Sequence, residues 1–158
     1  FITEVQETLF NNDLLVLKTN NSNGYNARIF TVNISTGMEN TVIAENLPGA
    51  LGGLDITANG DQIIYTRDLS GSENSNYRQF ESRVFIYNFS TATSNILGTD
   101  VVVGQNDLDP KFSPDEGAII LARVGNNTGA IPTVIKFQFG AATQEKELFT
   151  AASMPDWD

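Results

Sequence analysis

Short apolar stretches alternate with clusters of polar turn residues along the whole chain, and this pattern predicts β-strands rather than helices. The apolar stretches are rich in Ile, Val, Phe and Thr, which favour strands. Gly, Asn, Asp and Ser separate them, and the pair Asn59-Gly60 is a strong signal for a tight hairpin turn. The chain is therefore expected to fold as consecutive antiparallel strands.

One segment of the chain recurs at regular intervals. Residues 56–65 (ITANGDQIIY) match residues 112–121 (FSPDEGAIIL), and residues 154–158 (MPDWD) begin a further copy. The intervals are 112 − 56 = 56 and 157 − 112 = 45 residues. Both lie near the roughly forty to fifty residues of a β-propeller blade. The excess of 56 − 45 = 11 residues in the middle unit falls in residues 70–81, whose composition predicts a loop.

A second segment repeats in the same order, which makes a chance match improbable. Residues 28–36 correspond to residues 83–91 and, more loosely, to residues 133–141. The repeat predicts four strands per unit, from an innermost strand A to an outermost strand D. Strand A is expected at residues 54–57, 110–113 and a truncated 155–158, and strand B at residues 14–18, 62–67 and 118–124. Strand C is the segment just aligned, and strand D is expected at residues 41–44, 94–97 and 146–150.

These units predict an all-β fold of about three β-propeller blades, each with four antiparallel strands. The expected blades are residues 1–53, 54–109 and 110–153, with the next blade beginning at about residue 154. Propellers close with about four to eight blades. The chain is therefore expected to be part of a larger propeller, whose further blades come from the same chain or from a second copy.

The clearest copy of the repeat resembles that of a known family. Residues 107–115 (DLDPKFSPD), followed by the apolar residues 117–121, resemble the repeat of TolB-like β-propellers, a WD-like family of bacterial envelope proteins. Glu116 interrupts the pattern before Gly117, and residues 54–65 form a degenerate copy. The resemblance implies a scaffold that binds other proteins, located in the periplasm, at the outer membrane or outside the bacterial cell. Relatives also occur as propeller domains of prolyl-oligopeptidase-type peptidases.

Composition excludes several classes of function. The net charge of −10, from 19 acidic and 9 basic residues, disfavours nucleic acid as a partner. The sequence has no His and no Cys, which excludes a Ser-His-Asp triad, a Cys-His dyad, a thiolate or His-rich metal site and disulfides within this chain. No stretch is long and apolar enough to span a membrane as a helix. We therefore expect a non-enzymatic protein without a cofactor.

Carboxylates and one loop supply the candidate binding residues. Asp55, Asp107, Asp109 and Asp156 are expected on or near the innermost strands, where they would form an acidic funnel. Calcium is the one metal considered, at Asp107 and Asp109, because it prefers oxygen ligands; capping of turns by these residues is the favoured interpretation. The candidates for partner binding are Asp55, Asp109, Asp156, Tyr77, Arg78 and Phe80, the last three from the long loop.

Two polar positions of strand C also recur. Arg28 and Arg83 begin it, and their shared position predicts a structural contact such as an ion pair with a carboxylate. Asn33 and Asn88 end strand C, and each begins an Asn-x-Ser/Thr triplet; Asn20 and Asn126 begin two further triplets elsewhere in the chain. For Asn33 and Asn88, a role in a turn is preferred to glycan attachment.

The leading functional prediction is an exported, non-enzymatic propeller that mediates protein–protein interaction in a bacterial envelope or surface assembly. Two alternatives remain. The chain could be the propeller domain of a larger prolyl-oligopeptidase-type hydrolase, or a propeller that binds carbohydrate or calcium at an acidic inner rim.

Overall fold

The structure is a computed structural model that describes residues 2–7, 14–19, 27–44, 49–71, 80–141 and 144–157. These residues form three four-stranded antiparallel sheets, in the orders β1-β2-β3-β4, β5-β6-β7-β8 and β9-β10-β11-β12, and contain no helix. The strands are β1 Ile2–Glu7, β2 Leu14–Thr19, β3 Arg28–Asn33, β4 Glu39–Ile43, β5 Leu51–Ile56, β6 Gln62–Asp68, β7 Ser82–Asn88, β8 Thr93–Ile96, β9 Gln105–Phe112, β10 Ala118–Gly125, β11 Thr133–Gln138 and β12 Glu145–Thr150.

The sheets pack face to face, and the middle sheet is buried on both faces. Ile63 and Tyr65 of β6 join an apolar cluster with Ile29 of the first sheet. Ile64, between them, joins a second cluster with Leu121 of the third sheet. Successive side chains of a strand point to opposite faces, so one apolar run supplies both interfaces. Each large side chain buried in this way contributes about 1.5–3 kcal/mol.

The first strand of each sheet lies innermost and contacts its counterpart in the neighbouring sheet. β9 packs against β5, β6 and β7, and β5 packs against β1. The Leu54 carbonyl accepts hydrogen bonds from Gln6 Nε2 at 3.0 Å and from Lys111 Nζ at 3.1 Å. The predicted β-propeller arrangement of four-stranded blades is therefore confirmed for the described residues.

A bulge recurs in the inner strands and explains an unusual backbone position. Gly53 of β5 and Asp109 of β9 occupy equivalent places in the repeat, where φ is +43° and +48°. Met154, three residues before Trp157, has φ of +53°. A Cβ on Gly53 would lie 2.7 Å from Pro110 Cδ, so the close approach of β9 requires glycine there.

Most predicted strands agree with the structure, whereas the inner ones differ. β5 and β9 begin at Leu51 and Gln105, earlier than the expected positions 54 and 110, because each strand continues on both sides of its bulge. The expected strand at 155–158 is not formed at residues 155–157, and Asp158 lies outside the described residues. Trp157 instead packs over the third sheet, where its Nε1 donates to the Lys111 carbonyl at 3.4 Å.

The recurring polar residues of strand C have the structural roles predicted for them. Arg28 forms an ion pair with Glu39 at 2.9 Å, and Arg83 forms one with Glu81 at 3.2 Å. Asn33 Oδ1 accepts the amide of Thr36 at 2.8 Å, and Asn88 Oδ1 accepts the amides of Ser90 and Thr91 at 2.9 and 3.1 Å. These side-chain turns explain the repeated asparagines without a glycan.

Candidate functional site

A cleft of about 530 Å³ lies between the second and third sheets, where β6 and β10 end. Its walls come from the beginnings of β5 and β9, the ends of β6 and β10, and the connections that follow these two strands. The side chains that line it are amides, hydroxyls, three apolar groups and the single carboxylate of Asp109; no Lys or Arg is among its described lining residues. The volume is in the range of small-molecule sites.

The buried carboxylate of Asp68 closes the base of the long loop beside this cleft. Its side chain accepts the backbone amides of Ser70 and Phe80, each at 2.7 Å, and the Leu69 amide donates to the Glu81 carbonyl at 3.0 Å. Hydrogen bonds to a carboxylate are stronger than those between neutral groups. The two ends of the loop are therefore held together, and Phe80 is fixed in the wall of the cleft.

A chain of side-chain amides connects this loop to the neighbouring sheet. Asn106 Oδ1 accepts the Ser82 amide at 2.8 Å, and Asn106 Nδ2 donates to Asn126 Oδ1. Asn126 Nδ2 in turn donates to the Phe80 carbonyl. Because each amide bonds to the next, the two walls of the cleft are fixed relative to each other before any ligand is present.

The sequence did not point to Asn106 or to this role of Asn126. Asn126 stood out only as the start of an Asn-x-Ser/Thr triplet, and Asn106 had no distinguishing pattern. The two residues are 20 positions apart, and Asn126 and Phe80 are 46 apart. The only available signal was the 11-residue excess of the middle unit (56 − 45), which identified the loop that carries Phe80.

Thr66, on β6, is a further lining residue of the cleft. Its side chain is fully buried, and its Oγ1 has no hydrogen-bond partner within the described part of the chain. A buried hydroxyl without a partner costs about 1–3 kcal/mol. Thr66 therefore differs from Asn106 and Asn126, whose polar atoms are bonded within the protein.

The candidate site residues from the sequence fall into four groups. Phe80 and Asp109 line the cleft, and Asp109 and Asp156 line a second, inner cavity. Asp55 contacts neighbouring strands, as described below. Tyr77 and Arg78 lie outside the described residues. The role of these residues in partner binding stays a prediction.

The inner cavity has a volume of about 270 Å³ and an acidic lining. Glu4, Asp109, Lys111 and Asp156 contribute its charged side chains, from consecutive inner segments of the repeat. Within the described ranges, no group of three or more carboxylates is placed to hold a metal ion. Asp109 belongs to both cavities and therefore lies where the cleft meets this acidic region.

Asp107, considered above with Asp109 as a calcium ligand, is fully buried in an ion-pair network instead. Arg123 Nε and Nη2 donate to its two oxygens at 2.7 and 3.0 Å, and Nη1 donates to Glu145 Oε2 at 2.7 Å. Burial opposes the charge of Arg123, but the bonds to Glu145 and Asp107 raise the pKa of its guanidinium. Burial likewise works against ionised Glu145, yet Arg123 and the Asp100 amide hold its pKa below the ordinary value.

Asp55 connects two inner strands, β5 and β9. Its Oδ2 accepts the Phe112 amide at 2.8 Å, and its Oδ1 lies 4.0 Å from Lys111 Nζ. Burial raises the pKa of the Asp55 carboxyl, and the hydrogen bond from Phe112 and the charge of Lys111 offset only part of that effect. The ionised form of Asp55 therefore lowers the free energy of unfolding.

Replacing Asp55 with Asn is expected to make the protein more stable at neutral pH, because Asn keeps an oxygen for the Phe112 amide and removes the buried charge. The pKa is raised in the folded state above the unfolded value of 3.8, so the cost is present above the folded pKa and disappears below 3.8. Urea unfolding should show the largest difference between variant and wild type at neutral pH, and almost none below pH 3.8. A less stable variant at neutral pH would show that Lys111 outweighs burial.

Solved structures with the same fold include two TolB proteins and the propeller domain of a protease. TolB from Acinetobacter baumannii aligns with a TM-score of 0.66 at 16% identity, over 94% of this chain and 32% of that one. A putative TolB from Agrobacterium tumefaciens gives 0.59 at 15%, over 94% and 48%. The β-propeller domain of the Trilobed protease from Pyrococcus furiosus gives 0.58 at 14%, over 94% and 42%.

These likenesses confirm the TolB-like β-propeller fold that the repeat predicts. The chain spans between 32% and 48% of the length of these three proteins. No protein-family model matches the sequence, and no curated protein matches it. Among the described residues, no helix has the length and apolar character needed to cross a membrane.

Proposed function

We propose that this protein is a non-enzymatic, exported β-propeller scaffold that binds a partner protein through the cleft between the second and third sheets. The observation that carries the proposal is the preorganised wall of the cleft, in which the Asn106 and Asn126 amides connect the Phe80 loop to the third sheet. A fixed recognition surface loses little conformational entropy on binding. It therefore suits recognition of another protein.

The chemistry of the cleft favours binding over catalysis. The sequence contains neither His nor Cys, and no Lys or Tyr is among the described residues that line the cleft, so carboxylates are the acid–base groups to consider there. Glycoside hydrolysis needs two carboxylates that face each other, at about 5–10 Å. Asp109 is the single carboxylate among the described lining residues of the cleft. The two nearby carboxylates are bound within the protein, Asp107 by Arg123 and Asp68 by the loop amides. A binding function, in contrast, does not require a second carboxylate in the cleft.

The proposed location is the bacterial envelope or the cell exterior, and the proposed partner is a protein of an envelope or surface assembly. Support comes from the resemblance of residues 107–121 to the TolB-like repeat and from the fold shared with two TolB structures. The acidic surface, with a net charge of −10, also limits association between exposed sheet edges.

A second candidate function is that of a propeller domain in a larger hydrolase. It is favoured by the fold shared with the propeller domain of the Trilobed protease. A fluorophosphonate probe, which labels active serine hydrolases, distinguishes the two candidates when applied to the natural full-length protein. Labelling would support the hydrolase, whereas an unlabelled protein that retains a partner would support the scaffold.

Substituting Trp for Thr128 is expected to weaken partner binding strongly while leaving the fold intact. Thr128 is exposed and lines the cleft, so an indole would occupy the binding volume without entering the core. Wild-type and variant proteins would capture partners from envelope extract, and each captured protein would then be purified and titrated by calorimetry. We expect at least about tenfold weaker binding, which corresponds to about 1.4 kcal/mol.

The matched control is Trp in place of Thr41, an exposed residue of β4 outside the cleft. It adds the same side chain to the same residue type and should leave the affinity unchanged. Equal affinity for the Thr128→Trp variant and the wild type would show that the partner does not use this cleft.

A further inference from the structure

We propose that Asn59 is a modification site, where deamidation and isomerisation of the main chain follow opening of the turn between β5 and β6 and release this turn from Glu116 of the third sheet. Water is the co-reactant. Two independent features carry the inference: an Asn-Gly pair whose asparagine is exposed, and a carboxylate that joins this turn to the third sheet. The inference goes beyond the proposed function and does not rest on it, because this turn precedes β6, whereas the cleft lies where β6 ends.

The Asn59-Gly60 pair supplies the first feature. The sequence has one other such pair, Asn23-Gly24, which lies outside the described residues. The backbone nitrogen of a glycine can attack the side-chain carbonyl carbon of a preceding asparagine, because glycine has no side chain that hinders the approach. A bond forms between Gly60 N and Asn59 Cγ, the bond from Cγ to Nδ2 breaks, and ammonia leaves with the Gly60 amide proton. Water then adds across either carbonyl–nitrogen bond of the cyclic imide, which gives aspartate or its β-linked isomer, isoaspartate.

The closed turn opposes the first step of this reaction. Asn59 is exposed, but Gly60 is buried, and its amide donates to the Thr57 carbonyl at 2.9 Å. The Thr57 hydroxyl accepts the Gln62 amide at 3.0 Å and donates to Asp61 Oδ1 at 2.9 Å, which closes the base of the turn. A nitrogen that is buried and donates a hydrogen bond is a poor nucleophile. The reaction therefore proceeds from the small population of molecules in which the turn is open.

The equivalent turn of the third sheet shows which product the fold accommodates. Residues 57–62 and 113–118 close their turns with matching backbone hydrogen bonds, so Asp115 stands in the place of Asn59. Asp115 Oδ1 accepts the amide two residues further on at 3.1 Å, as Asn59 Oδ1 does at 3.2 Å. Aspartate at residue 59 is therefore compatible with the turn, whereas isoaspartate lengthens the main chain by one carbon and changes its path.

Glu116 supplies the second feature, because its side chain joins the two turns. Its Oε1 accepts the amide of Ala58, the residue directly before Asn59. Glu116 has φ of +55°, in the left-handed region where the second sheet has Gly60 at +73°. A side chain is strained there, and the hydrogen bond to Ala58 offsets part of that strain. The residue that interrupts the TolB-like pattern thus connects neighbouring sheets, and a changed path of the main chain at residue 59 is expected to break this connection.

The test ages the full-length protein in mildly alkaline buffer, since base removes the amide proton, and follows each asparagine by peptide mapping and mass spectrometry. Isoaspartate is detected with isoaspartyl methyltransferase. Asn59 is expected to convert in the folded protein, at a rate at least about tenfold below that of the same protein unfolded in urea. Asn127, which is exposed but followed by Thr128, is the internal control and should stay intact over the same period. An unmodified Asn59 in the aged folded protein would overturn the inference, and equal rates with and without urea would refute protection by the turn.

Variants connect the rate to the proposed contacts. Thr57→Val removes the hydroxyl that closes the turn and is expected to accelerate conversion about two- to tenfold, whereas Thr57→Ser keeps that hydroxyl and the wild-type rate. Glu116→Ala should also accelerate it, whereas Glu116→Gln retains an oxygen for the Ala58 amide. Arg123→Met changes the ion-pair network of the third sheet and should leave the rate unchanged. An equal acceleration in Arg123→Met and Thr57→Val would show that Asn59 reacts from globally unfolded protein, which contradicts local opening.

Hydrogen exchange at the Ala58 amide measures release from Glu116. Converted protein, which ion exchange separates by its added negative charge, is expected to exchange this amide faster than fresh protein. Asn59→Asp carries the product side chain without the added main-chain carbon, and its exchange should match that of fresh wild type. Unchanged exchange in the isoaspartate form would refute the release, as would an equal acceleration in Asn59→Asp.

Discussion

Replacing Arg123 with Met is expected to lower the free energy of unfolding by about 3–5 kcal/mol, because it leaves a buried carboxylate without its counterion. Asp107 is fully buried and receives two of the guanidinium hydrogen bonds, at 2.7 and 3.0 Å. Glu145 would lose two more, at 2.7 and 2.9 Å. Urea unfolding at neutral pH, followed by circular dichroism, measures the loss.

Two controls separate burial of charge from loss of a side chain. Arg28→Met removes the same side chain from an exposed pair with Glu39 and should cost less than about 1 kcal/mol. Adding Asp107→Leu to Arg123→Met should restore part of the lost stability, since the uncompensated charge disappears. Equal losses for Arg123→Met and Arg28→Met would refute the proposed importance of burial.

The same network predicts sensitivity to acid. The pKa of Glu145 is held below its ordinary value of 4.5, so its contribution to stability is complete above that value and is lost as the pH falls through the folded-state pKa. The Arg123→Met variant should lack this part of the acid dependence. Unfolding curves recorded across this pH range for both proteins would show the difference.

Replacing Gly49 with Ala is expected to cost about 3 kcal/mol or more, since the new side chain meets backbone that cannot move independently. Gly49 has φ of +95°, and a Cβ there would lie 1.8 Å from the Asp68 carbonyl oxygen. Asp68 is also tied to the beginning of β5 through its amide, which donates to the Ala50 carbonyl at 2.9 Å. Relief of the clash therefore requires β5 and β6 to separate.

Gly71 provides the matched control for this substitution. Its φ is +65°, also in the left-handed region, but no atom of the described residues lies within 4 Å of the position that a Cβ would occupy. Gly71→Ala should therefore cost only the backbone strain of about 1–2 kcal/mol. Thermal unfolding would compare the two variants, and hydrogen exchange at the Phe80 amide should accelerate in Gly49→Ala alone. Equal losses would mean that strain, and not the clash, explains the effect.

The fold could be predicted because the signals that specify it are local and repeated. The alternation of apolar residues and the Asn59-Gly60 turn lie within single hairpins, and the match between residues 56–65 and 112–121 repeats one such hairpin in the next unit. Strand pairing between neighbours in sequence follows directly from such patterns. The turn roles of Asn33 and Asn88 were predictable for the same reason, since each bonds to amides two or three residues away.

The candidate site was less predictable because its contacts join distant parts of the chain. The sequence suggested Phe80 through the length of its loop and Asp109 through its inner position, and both line the cleft. It gave no sign that Asp107 would bind Arg123, 16 positions away, or that Thr66 would stay without a partner among the described residues. Carboxylates on one strand look alike in sequence, and their neighbours across the sheets decide which are neutralised.

The amino-acid sequence alone determined that this protein is a series of four-stranded β-propeller blades, because turn chemistry and apolar alternation act over a few residues and recur in each unit. The tertiary structure alone decided which face of β6 meets which neighbour, where the bulges place Gly53 and Asp109, and which polar groups line the cleft. Those properties depend on packing between sheets, where residues far apart in sequence set each other's burial and hydrogen bonding.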